Sequence, residues 1–96
     1  MRFEWDSEKA VTNLSRHGVS FDEAGSVFDD PLAATFDDPL HSLEECRQVT
    51  VGYSTRGRLL VVCHVERDET LRLISARPAT ARERKRHEEQ TPKHDR

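Results

Sequence analysis

Leu59–Val65 reads Leu-Leu-Val-Val-Cys-His-Val, an almost unbroken apolar run. A run this short, bounded by turn residues, reads as a strand covered on both faces. Two strand-like segments flank it, Gln48–Ser54 before and Thr70–Arg77 after. The connections, Thr55-Arg56-Gly57-Arg58 and Arg67-Asp68-Glu69, have hairpin lengths. The run therefore predicts the central strand of an antiparallel meander, Leu59–Glu66. Little material is available to cover it. Of 96 residues, 34% are apolar and 34% charged, where a globular chain usually has roughly 45–50% apolar. The expected core is thin, in one two-layer domain of residues 1–90, with no room for a large barrel or doubly wound sheet. Residues 91–96 are expected to form a disordered tail.

The segments before the meander follow a different period. Residues 2–5 alternate as a short strand does. Asp6 is placed to cap a helix over residues 7–17, with Ala10, Val11 and Leu14 facing inward and Gly18 as its left-handed stop. Ser20-Phe21-Asp22-Glu23 forms a capping box, with Val19 stapled against Ala24. Phe21, Ala24, Val27 and Phe28 then recur at helical spacing until Asp29-Asp30-Pro31 ends the helix. Leu32–Phe36 reads as a strand, and Asp37-Asp38-Pro39 turns the chain into a polar segment, residues 40–46. After Pro78, Thr80-Ala81-Arg82-Glu83 is a second capping box, opening a helix to about residue 90. That helix has almost no apolar stripe, so it packs by residues near Ala79 and Ala81 or rests on a partner. The fold class is α+β: β-α-α, then a four-stranded, mainly antiparallel sheet and a C-terminal helix.

The net charge of −3 conceals a division. Residues 1–46 carry 11 acids against three bases, a net of −8; residues 47–96 carry 12 bases against seven acids, a net of +5. Such asymmetry points to nucleic acid on one side or a charged protein partner. Cys63 reads as a small buried hydrophobe, and its pairing with Cys46 is left open. There is no C-x-x-C pair and no tight Cys/His spacing, so no metal site is expected. No apolar run approaches the ~18 residues that cross a bilayer, and the opening MRFEWD lacks the apolar stretch of a secretory signal. A reducing cytoplasm is the expected location, with no membrane contact.

Several segments together resemble one family. They are Phe3-Glu4-Trp5-Asp6, Asn13-Leu14 with His17-Gly18-Val19-Ser20-Phe21, and Val27-Phe28-Asp29-Asp30-Pro31. They continue through Gly57-Arg58-Leu59-Leu60-Val61-Val62, Ile74-Ser75-Ala76-Arg77 and Glu83-Arg84. In order and spacing, over about residues 2–89, these resemble the BrnT family of bacterial toxins. The resemblance implies a RelE-like fold and a small, cytoplasmic, metal-independent ribonuclease without cofactor. It also implies a cognate BrnA-like antitoxin that carries a DNA-binding domain, so that the pair represses its own operon, and a heterotetramer with two copies of each chain. One departure is visible: His87 stands where the family usually has a tyrosine, so this member has either a substitute acid–base group or a weakened site.

Metal-free RNA cleavage needs a base for the 2′-OH, cations for the five-coordinate phosphate, and an acid for the leaving 5′-oxygen. Arg77, at a strand end beside a helix N-terminus, is the first choice for the phosphate; the plainer reading is an exposed strand-end arginine. Glu83 and His87, four residues apart, share a helix face and can form an acid–base pair, though Glu83 also closes its capping box. His64 is a further base candidate if its face is the open one, and otherwise a core histidine; a one-residue slip of register decides. Arg56, Arg58, Arg47 and Arg82 are the candidate RNA contacts. His17 is expected to close the first helix; His41, Glu45 and Arg47, which the resemblance groups together, are expected to hold a loop by a salt bridge or else to join the site. Trp5 and Phe3 are expected in the core. The competing function is a non-catalytic module that binds an acidic partner or nucleic acid and acts in operon regulation.

Overall fold

The computed structural model describes residues 2–37 and 47–90. Strand β1 (Arg2–Glu4) leads into helices α1 (Ser7–His17) and α2 (Phe21–Ser26), then a 3-10 turn, Val27–Asp29. Strands β2 (Ala34–Asp37), β3 (Gln48–Tyr53), β4 (Leu59–Arg67) and β5 (Thr70–Pro78) follow, and helix α3 (Ala81–Gln90) closes the described chain. The sheet has five strands in the order β1-β5-β4-β3-β2. The meander is antiparallel with β4 central, and β1 adds a fifth strand, parallel to β5. A parallel neighbour needs a long crossover, which here is everything between residue 4 and residue 70.

Helices α1 and α2 cover one face of the sheet. Val19, Phe21, Ala24 and Val27 meet Leu60, Val62, Leu71, Leu73 and Ala76 there, with Trp5, Ala10, Phe28 and Ala33 at the margin. The core is as thin as the composition implies. At Gly52 an added Cβ would lie 2.8 Å from the Ala33 Cβ and 2.9 Å from the Val27 Cγ1, so no side chain fits at this approach of sheet and turn. The second face is only half-covered, and β4 is not sealed on both sides: Val61, Cys63 and Val65 are half-buried. Alternation puts Cys63 on that face, and it is disulfide-bonded rather than a small buried hydrophobe. Cys46, His41, Glu45 and the expected tail lie outside the described residues.

Several local expectations need correction. Helix α1 turns Ala10 and Asn13 inward, while Val11 is 70% and Leu14 52% exposed. The reason is a polar anchor: the Asn13 amide donates to the Val19 carbonyl (2.9 Å) and the Ala76 carbonyl (2.8 Å). Its oxygen accepts from the Ala76 N–H (3.0 Å), so the side chain makes three hydrogen bonds in the core. Asp6 occupies the N-cap of α1 without capping through its side chain, whereas Gly18 stops the helix at φ 70° as expected. Strand β2 starts two residues late. Asp30 holds Pro31–Ala33 in a turn by accepting from the Leu32 N–H, and it also accepts from the Tyr53 N–H.

The two capping boxes differ. At α3 the box is reciprocal: Thr80 Oγ1 accepts from the Glu83 N–H (3.1 Å) and Glu83 Oε1 from the Thr80 N–H (2.9 Å). At α2 only half forms. Ser20 Oγ accepts from the Glu23 N–H, but the Glu23 carboxylate turns away into the protein. Helix α3 lies on the second face, with His87 its one buried side chain among the described residues; Ala79 is half-buried and Ala81 exposed, so the histidine and not the alanines seats the helix.

Candidate functional site

The last two elements bring Arg77, Glu83, Arg86 and His87 to one cavity. Alternation along β5 opposite β4 pairs Arg77 with Val61, which in turn faces Val51. These side chains share the half-open face. A cavity of about 270 Å³ opens there, walled by Val49, Val51 and Val61 and rimmed by Arg77, Glu83, Arg86 and His87. The Arg77 guanidinium meets Glu83 end-on, Nη1 donating to Oε1 and Nη2 to Oε2, both at 2.8 Å. Nη1 also donates to the Pro78 carbonyl. Nε–H and the second Nη2 proton have no partner among the described residues; they lie along the other long edge of the fork, an edge that fits two phosphate oxygens.

Glu83 is therefore a charged acceptor. The Arg77 guanidinium, together with the Thr80 amide, holds its carboxyl at about 2 despite partial burial. A carboxylate so acidic is a poor proton acceptor at neutral pH but a firm mount for the arginine. The same contact raises the Arg77 guanidinium above its usual range. His87 sits under α3 with its ring 6.1 Å from that of Tyr53, edge to face, and is 5% exposed. Arg86, one residue earlier, is exposed beside Arg77 and has no ion pair among the described residues. Phe36, 46% exposed, pairs with Val49 and so stands on this same face.

A family model described as the ribonuclease toxin BrnT of type II toxin–antitoxin systems matches residues 5–83. The chain belongs to the BrnT ribonuclease toxin family. The BrnT fold is matched independently by a crystal structure of the Brucella abortus ribonuclease toxin BrnT, with a TM-score of 0.66. That likeness covers 83% of this chain and 97% of the Brucella chain at 23% identity, and so shows the architecture. No curated protein sequence matches. The family match ends at Glu83, so Arg86 and His87 lie beyond it.

The BrnT-like sheet separates the other sequence-selected residues. His64 does not join Arg77. Alternation along β4 after Leu60 and Val62 places it on the helix-covered face, opposite Gln48, and an irregularity at Ile74 of β5 brings Leu73 opposite it. There it is 2% exposed and its Nε2 bonds the Thr50 hydroxyl at 2.7 Å, which bonds that of Thr35 at 2.7 Å. Burial pushes the imidazole down to about 4. The unfolded chain then binds the extra proton between about pH 6.5 and pH 4, so acidification through that window favours unfolding. Urea midpoints measured at pH 7 and pH 5 are expected to fall on the acid side, and His64→Gln to flatten that fall. Equal slopes in both proteins would refute the neutral buried imidazole.

The remaining arginines divide by what their forks already hold. Arg58 is engaged: Nε donates to Glu23 Oε2 (2.9 Å), and Nη2 to Glu23 Oε1 and to the Gly18 carbonyl (3.0 Å). Ser54 Oγ donates to the same carboxylate at 2.7 Å. Arg58 thus ties the β3–β4 hairpin to the α1–α2 corner. Arg56, with a side chain 71% exposed, lies 3.6 Å from Glu23, and Arg47 and Arg82 are exposed. His17 is half-buried at the end of α1, Trp5 packs edge to face on Phe21, and Phe3 is 38% exposed rather than in the core. Sequence reasoning missed Arg86, Phe36 and Asn13. Asn13 has a readable signal, an amide between apolar helix positions, whereas the other two depend on which face the strands present. Among the described residues no three His, Cys, Asp or Glu side chains are placed to hold a metal, and no helix is long and apolar enough to cross a membrane.

Proposed function

We propose that this chain is a toxin that cuts RNA by internal transphosphorylation, with the open edge of Arg77 receiving the scissile phosphate. The 2′-oxygen attacks phosphorus and loses its proton to a base. The P–O5′ bond breaks, and the leaving oxygen takes a proton, giving a 2′,3′-cyclic phosphate and a 5′-hydroxyl. Arg77 and Arg86 stabilise the added charge on the equatorial oxygens. His87, whose imidazole lines the same cavity, serves as the acid or base. Glu83 is a positioning residue that aims the arginine. Phe36 offers a ring to an unstacked base, and Arg47, Arg56 and Arg82 offer phosphate contacts away from the cleaved bond. Arg58 contributes through the hairpin it ties down. His64 supports the covered face rather than the reaction.

The observation that carries this reading is the guanidinium edge left open by Glu83 above a cavity that Arg86 and His87 also line. Needing no cofactor or metal, the reaction is expected to persist in EDTA and to stop when the scissile nucleotide carries 2′-deoxy or 2′-O-methyl ribose. Cleavage of labelled single-stranded RNA by purified protein, with product ends identified, tests both. Loss in EDTA would overturn the metal-free mechanism. Binding without cleavage, with steep salt dependence, would favour the non-catalytic module. A toxin of a type II system has an antitoxin partner. The reading here is a cytoplasmic BrnA-like one that silences the toxin in a 2:2 complex and connects it to operator DNA.

A further inference from the structure

A second cavity lies on the other side of the sheet from Arg77. It has a volume of about 470 Å³, within the range of sites that take a small group. Its wall is aromatic: Phe3 and Phe28 are tilted with centroids 5.7 Å apart, and Phe28 meets the His64 ring edge to face at 5.0 Å. Its polar lining is Asp29, Glu66, Gln48, Thr35 and His64, and its charged groups are both acidic. Asp29 and Glu66 are exposed carboxylates at its rim, and no lysine or arginine is among its lining residues. His64 is buried in its wall, and Nδ1 has no hydrogen-bond partner among the described residues.

We propose that this cavity receives the guanidinium of an arginine carried by a protein partner. The plane lies against the phenylalanine rings, and its N–H groups reach the Asp29 and Glu66 carboxylates at the rim. Arginine fits this set better than lysine. It stacks on aromatic faces, sheds water more easily, and spreads five donors over one plane. The His64 ring is fixed in the wall by its Nε2 bond to the Thr50 hydroxyl, which in turn bonds that of Thr35. Burial keeps that ring uncharged, so it does not repel a cation. A nucleotide fits poorly, since its phosphate would approach two carboxylates with no cation beside them. The inference does not rest on the ribonuclease reading, because the two sites occupy opposite faces.

The test titrates the full chain, isotopically labelled, with acetyl-glycyl-arginyl-glycinamide, its lysine counterpart and guanosine 5′-monophosphate, following the His64 ring and the Asp29 and Glu66 amides by NMR. The arginine peptide is expected to give saturable shifts at these groups, with affinity roughly tenfold above the lysine peptide and the nucleotide. The double variant Asp29→Asn, Glu66→Gln changes only exposed side chains and should keep the fold's spectrum while weakening arginine binding by roughly tenfold. Absence of saturable shifts, equal binding of lysine, tighter binding of the nucleotide, or undiminished binding by the double variant would each overturn the proposal.

Discussion

Arg77→Ala is expected to abolish growth arrest when the chain is expressed without an antitoxin, at matched protein level. In purified form it should lower the single-turnover cleavage rate by about 10²–10³, the usual effect of removing one donor aimed at developing charge. The expectation follows from the unspent edge of the fork. Glu83 takes Nη1 and Nη2, the Pro78 carbonyl also accepts from Nη1, and Nε has no partner among the described residues. Arg77→Lys keeps the charge but offers no second parallel donor, so most of the loss should remain. Because Arg77 also braces the first turn of α3, the helix signal in circular dichroism must be followed alongside. Glu83→Gln is the companion measurement. It can retain the cap at Thr80 while loosening the guanidinium, and it should slow cleavage less than Arg77→Ala does. Full toxicity of Arg77→Ala would remove this residue from the mechanism.

Asn13→Ala is expected to give a large loss of stability without touching the reacting groups. The substitution strips partners from the Ala76 N–H and from the Val19 and Ala76 carbonyls in the core. Each unsatisfied buried group costs about 1–3 kcal/mol. Some relief from water leaves an expected total of about 2–4 kcal/mol, a large share of what a small domain has. Urea unfolding at neutral pH measures it. Asn13→Asp should be nearly as damaging, since an ionised carboxylate keeps only the bond from the Ala76 N–H and faces two carbonyl oxygens. A loss below about 1 kcal/mol in both would show that the amide is replaceable by packing.

What was legible in the chain was mostly local. The hairpins around Leu59–Val65, the αL stop at Gly18 and the reciprocal box at Thr80 and Glu83 each depend on a few adjacent residues, and each is present. The parallel pairing of β1 with β5 was not legible, because Arg2 and Thr70 meet only after the whole crossover has folded. The same holds for Glu23. Its spacing from Ser20 suits a capping box, yet Arg58 above all, with Ser54 and Arg56 of the same distant hairpin, claims the carboxylate and holds it below its usual range. Helix α1 shows a third cause. Apolar spacing favours Val11 and Leu14 as the inner face, but three hydrogen bonds through one amide outweigh two exposed aliphatic side chains. For the site, Arg77, Glu83 and His87 are close in sequence and converge as neighbours on one cavity. The face of His64 follows from its alternation with Leu60 and Val62, but which face of an almost continuously apolar strand the helices would cover was not legible.

The mounting of α3 carries a kinetic consequence. A ten-residue helix with a single buried side chain, His87, has little to resist fraying. Its first turn holds the carboxylate that orients Arg77, so undocking the helix and disordering the guanidinium are one event. Amide hydrogens of Arg84–Gln90 should then exchange long before those of β4. The fraction of molecules ready to react at any instant equals the fraction with the helix seated. A ligand that favours the seated form acts as an activator, and one that traps the loosened form acts as an inhibitor, without either occupying the cavity.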